Sequence, residues 1–127
     1  MGINPYVDIA GKGLYKGDIH FHTDLSDGVS SPEAMFERLI ACGFDFCGPA
    51  DHDLPGVPGR HDSLVILSSQ EMSSGKGHIV ALNSPTVRDT AWTVAEQIEN
   101  VRKDGGMAIL SHPKIREFVV DQGLTYT

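Results

Sequence analysis

No stretch of this 127-residue sequence approaches the roughly 20 consecutive apolar residues of a membrane helix. Nor does a signal-peptide pattern open it, so a cytoplasmic location is the expectation. Cysteine is scarce: Cys42 and Cys47 are the only two, too few for the disulfide framework of a small secreted domain. Both stand among apolar neighbours and are expected to be buried thiols. Cationic residues are in deficit, ten Lys and Arg against seventeen Asp and Glu, for a net charge of −7. Such a chain has no basic stripe for non-specific nucleic-acid binding. It can still take a phosphorylated substrate, because bound divalent cations reverse the local field. Repeats, low-complexity segments and a convincing serine or cysteine nucleophile elbow are absent too.

What is present suits one globular domain over residues 1–127, with 40% hydrophobic and 21% charged residues. Residues 18–23 predict a first strand. Ser31-Pro32-Glu33 opens a helix, with Ser as N-cap, Pro at the first helical position and an acid in the first turn. Met35, Phe36, Leu39 and Ile40 continue it at helical spacing, and Gly43 stops it. The apolar run 44–50 predicts a buried strand, and 54–62, with two prolines and two glycines, a loop. Residues 64–67 predict another strand, ending in the run that leads to Glu71. After a turn at 73–77, residues 78–82 return as a strand. Thr93 and Glu96 form a capping box for a helix that ends at Gly105-Gly106, and 107–110 is the last strand. This alternation predicts an α/β fold with a mainly parallel sheet and helical crossovers.

Polar residues collect where the strands end, the edge at which parallel α/β folds build their chemistry. His20 and His22 are two apart on a strand, so both imidazoles face one side. That pair is half a site for a borderline cation. Asp27 lies on the loop that follows. Asp51-His52-Asp53 ends the next strand, where a carboxylate beside a histidine commonly fixes the imidazole tautomer. Glu71 can bridge two cations with its two oxygens, while His78 opens one strand and His112 follows another. The expected ligands are therefore His20, His22, Asp27, His52, Glu71, His78 and His112, with Glu71 and Asp51 in catalytic roles. Arg60 and Lys114 are candidate contacts for an anionic substrate. His61, beside Arg60, is expected at the surface.

The stretches KGDIHFHTDLSDG at 16–28, GFDFCGPADHD at 43–53, QEMSSGKGHIVAL at 70–82 and ILSHP at 109–113 resemble the polymerase and histidinol phosphatase (PHP) family. The GHIVAL and GFDF-to-DHD segments look most like its carbaryl-hydrolase-type branch. The resemblance implies part of a distorted (β/α)7 barrel with two to three divalent cations, zinc, manganese or iron. By position, His20 and His22 would share a first cation with Glu71. Glu71 would bridge to a second held by His78 and His112, and Asp27 with His52 would hold a third. Family members close with an Asp-x-His motif, whereas no histidine follows His112 here. The expectation is thus a shortened PHP domain, a chain that completes its sheet as a homodimer, or a form without activity.

The implied activity is metal-dependent hydrolysis of a small phosphate mono- or diester by a hydroxide shared between cations. Two alternatives follow from the same residues. One is a catalytically incomplete module that binds metal or assembles with a partner. The other is a metal-dependent carbamate or ester hydrolase.

Overall fold

The computed structural model describes residues 13–74 and 77–112. Along the chain run β1 (Gly17–Phe21), α1 (Pro32–Ala41), β2 (Phe46–Pro49), β3 (Gly59–His61), β4 (Leu64–Ile66), β5 (Ser69–Ser74), β6 (Gly77–Leu82), α2 (Val94–Lys103) and β7 (Met107–Leu110). They form a mixed α/β structure with two sheets, β1-β2-β4-β3 and β5-β6-β7.

Local chemistry accounts for both helices. The Ser31 side chain accepts from the Ala34 amide at 3.3 Å, Pro32 occupies the first turn, and Gly43 leaves the helix at φ 74°. Thr93 and Glu96 form the reciprocal capping box expected of them. On the first sheet, Phe36 and Leu39 of α1 pack with Cys47 and Leu64. On the second, Val101 of α2 packs with Met72 and Ala81.

The first sheet is mostly parallel: β1 pairs β2 and β2 pairs β4 in parallel, with α1 as the crossover. The second is not. Both β5–β6 and β6–β7 are antiparallel, so α2 joins antiparallel neighbours rather than making a parallel crossover. The expectation of one mainly parallel sheet therefore holds for half of the architecture. Three further details differ. The proline-rich segment 54–62 ends in β3, which pairs antiparallel with β4 across a tight turn at Asp62, φ 50°. The single strand expected to end at Glu71 breaks after Ile66, and its second part joins the other sheet. Cys42 is exposed at the end of α1, while Cys47 is buried and its thiol pushed up to about 11 by that burial and by Asp18.

The two sheets meet through one parallel bridge, His52 to Glu71. There the Glu71 amide donates to the Asp51 carbonyl at 3.1 Å and the Asp53 amide to the Glu71 carbonyl at 2.9 Å. Beside them the Ala50 amide reaches the Phe21 carbonyl at 2.8 Å and the Ser111 amide the His78 carbonyl at 2.9 Å. The ends of β1 and β7 are thereby tied to β2 and β6, the two neighbours of β5 at Glu71.

Candidate metal centre

Glu71 occupies the centre of that seam, with its side chain 1% exposed. A buried carboxylate is costly unless it is paired. Five imidazoles surround it. Oε1 lies 3.2 Å from His20 Nε2, 3.0 Å from His112 Nε2 and 3.4 Å from His78 Nδ1. Oε2 lies 3.3 Å from His22 Nε2 and 3.4 Å from His52 Nδ1. The rings also contact one another in a closed circuit. His22 and His52 have centroids 4.5 Å apart, and His78 and His112 5.1 Å. His20–His22, His20–His112 and His52–His78 complete it at 5.5, 5.8 and 5.8 Å.

Asp27 joins from the open side. Its Oδ1 is 3.5 Å from His22 Nδ1 and its Oδ2 3.4 Å from His52 Nε2. The loop that carries it folds back on β1: the Gly28 amide donates to the Thr23 carbonyl at 2.9 Å, and the Asp24 amide to the Ser30 carbonyl at 2.9 Å. A Cβ at residue 28 would press on the backbone carbonyl of His22, so only glycine allows this closure.

Burial pushes the Glu71 carboxyl up, but the Ser111 hydroxyl and the imidazoles of His20, His78 and His112 outweigh it and hold the group below its ordinary value. His78 moves down as well, first because it is desolvated and then because His112 and His52 stand beside it, against the pull of Glu71. The centre thus favours an ionised Glu71 and, at His78, the neutral imidazole, the forms in which each can serve as a ligand. His22 Nδ1 is buried without a hydrogen bond, a polar atom that a ligand would satisfy. Nitrogen and carboxylate donors together suit borderline divalent ions. The residues fit a metal.

Three sets of ligand atoms lie close enough to share an ion: His20, Glu71 and His112; His22, Asp27 and His52; His52, Glu71 and His78. All seven expected ligands are therefore brought together. The grouping differs from that implied by the resemblance, since His22 sides with Asp27 and His52 rather than with His20.

The remaining expected residues lie elsewhere. Asp51 is 4% exposed, and its oxygens accept from the Thr23 amide, the Thr23 hydroxyl and the Ser26 hydroxyl, each at 2.7 Å. It thereby ties the loop of Asp27 to the end of β2. Arg60 sits on edge strand β3, in a groove with Tyr15, Asp45 and Phe46 that contains none of the clustered residues. Lys114 lies outside the described residues. His61 is half-buried against Phe36, with ring centroids 5.6 Å apart, not at the open surface.

Two participants carry no signal in the sequence. The Ser73 hydroxyl lies 2.5 Å from His52 Nδ1. Arg88 grips Asp53 with two bonds of 2.6 and 2.7 Å, and the same carboxylate accepts the Ser73 amide at 2.8 Å. Burial pushes Asp53 up, but the Arg88 guanidinium and the Ser73 amide hold it below its usual range. Ser73 falls in the segment read as a turn, although β5 runs through it to Ser74, and Arg88 in an irregular one, so neither spacing nor composition marks them.

No family model matches the chain. Over 78 residues it is 33% identical to a protein named 5'-3' exoribonuclease from Haemophilus influenzae. That stretch takes in 54% of this chain and 28% of the other protein, so the chain spans little more than a quarter of this relative's length.

Proposed function

We propose that the chain is a PHP-type metal-binding unit of a hydrolase that cleaves phosphate esters. The observation that carries this reading is the ring of five imidazoles around one buried, ionised Glu71. Each oxygen of Glu71 serves its own set of ligands. His20, His78 and His112 would hold one divalent cation with Oε1, and His22, His52 and Asp27 a second with Oε2. Zinc, manganese and iron all suit these donors. Two divalent ions against two carboxylates leave the site cationic, which matches an anionic phosphate despite the chain's net charge of −7.

Bound divalent ions supply Lewis acidity, lowering the pKa of a water from ~15.7 towards ~7 and neutralising phosphate oxygens as charge develops. The chain's own work is preorganisation. Glu71 keeps the two sets of ligands in register, Asp51 holds the Asp27 loop, and Ser73 orients the His52 ring. The similarity to a protein named an exoribonuclease favours phosphodiester over carboxylic-ester bonds. A seven-stranded barrel is part of the same proposal, supported by the parallel β1-β2-β4 order and by the gathering of ligands at strand ends.

The test is hydrolysis of bis-p-nitrophenyl phosphate and of p-nitrophenyl acetate with added manganese, alongside metal analysis of the purified protein. We expect stoichiometric metal, turnover of the phosphodiester, and loss of both in Glu71→Gln. Protein that holds no metal, or that turns over only the acetate, would refute the proposal.

A further inference from the structure

An apolar cleft of about 350 Å³ opens between the start of α1, the ends of β2 and β4, and the two loops that carry Asp27 and follow His52. Its size lies within the range of small-molecule sites. Leu25, Phe36, Leu54 and Val57 line it, and the one ionisable group in its wall is Asp51. Both oxygens of that residue are already taken up by Thr23 and Ser26. A phosphate therefore finds no partner inside the cleft, and its occupant must be apolar.

The position is informative as well. Leu25 stands two residues before Asp27, Leu54 two residues after His52, and Asp51 belongs both to the cleft wall and to the network that holds the Asp27 loop. Apolar side chains are left in water at the mouth, Leu25 being 60% and Val57 84% exposed. Pro32, Pro49 and Pro55 stiffen the walls around the Phe36 ring. Rigid walls favour a flat, rigid guest, which loses little conformational freedom on entering.

We infer that this cleft seats the ring of an aryl or nucleobase-bearing ester whose phosphate lies at the Glu71 cluster, so that the chain selects ring-bearing esters over small alkyl ones. The inference rests on the proposed phosphoesterase reading. Its two ends are separable, because the anion is held by the cluster and the ring by the cleft.

Calorimetry on the manganese-loaded protein with methylphosphonate and 1-naphthylphosphonate, whose C–P bonds resist hydrolysis, tests it. We expect the naphthyl compound to bind at least ~10-fold more tightly, the scale set by burying part of an apolar ring. In Val57→Asn, a change at an exposed position, and in Leu54→Asn that preference should shrink severalfold while methylphosphonate affinity is retained. Equal affinities for the two compounds, or a preference untouched by both variants, would overturn the cleft assignment and leave the metal reading standing. Failure of both compounds to bind would overturn the metal reading and this inference together.

Discussion

At the scale of single residues, the centre depends on groups that hold other groups in place. Arg88 is the clearest case, its side chain 11% exposed and both of its bonds spent on Asp53. Replacing it with alanine leaves a half-buried carboxylate short of two charge-assisted bonds, a loss of about 1–3 kcal/mol by urea unfolding. The pH dependence has a definite sign. Because the Asp53 carboxyl is held below its ordinary 3.8, the pair's contribution is complete above that value and lost as the pH falls through the folded one. The stability gap between the wild type and Arg88→Ala should therefore be widest near neutrality and close in acid. Asp53 also accepts the Ser73 amide, and Ser73 meets His52. Arg88→Ala should accordingly weaken cation affinity by about 10-fold or more, as supporting partners of metal ligands commonly do.

At the scale of elements, two changes separate a loop that builds the centre from a helix that only supports it. Gly28→Ala would place a methyl group against the His22 backbone and force the Asp27 loop off β1. An expected cost of about 1–3 kcal/mol should come with a lower metal content by elemental analysis, because Asp27 then leaves the His22–His52 side. Thr93→Ala removes the capping box of α2 and should cost about 1 kcal/mol. Its metal content should stay that of the wild type, since α2 packs on Met72 and Ala81 and contributes no ligand. Equal metal loss in both variants would mean that the centre responds to global stability and not to the loop.

At the scale of the whole molecule, the cluster is also the joint between the sheets, which meet at His52 and Glu71. Cations that bind there should stabilise the folded state by mass action, by about 2.7 kcal/mol at a free concentration of 100 times Kd. The unfolding midpoint should rise with manganese or zinc and fall back on chelation. Uptake should also weaken as the pH drops, because each imidazole must give up its proton to bind. His78, held below its usual pKa by burial and by His112 and His52 against the pull of Glu71, stays neutral to a lower pH than a free imidazole.

Much of this was legible from residues whose meaning is local. Ser31-Pro32, the Thr93–Glu96 box and the strand spacing of His20 and His22 act within a few residues, so the sequence alone determined both helices, most strands and which polar residues stand at the strand ends. Pairing across the chain was not legible. Whether α2 returns its strand parallel or antiparallel, and that the run into Glu71 breaks between two sheets, depends on distant partners that no local pattern encodes. The same holds inside the centre. Which Glu71 oxygen each histidine faces, the turn of Asp51 towards Thr23 and Ser26, and the grip of Arg88 on Asp53 follow from the register of strands joined at one bridge. Only the tertiary structure decided them, because convergence of side chains is set by packing and hydrogen bonding between segments far apart in the chain.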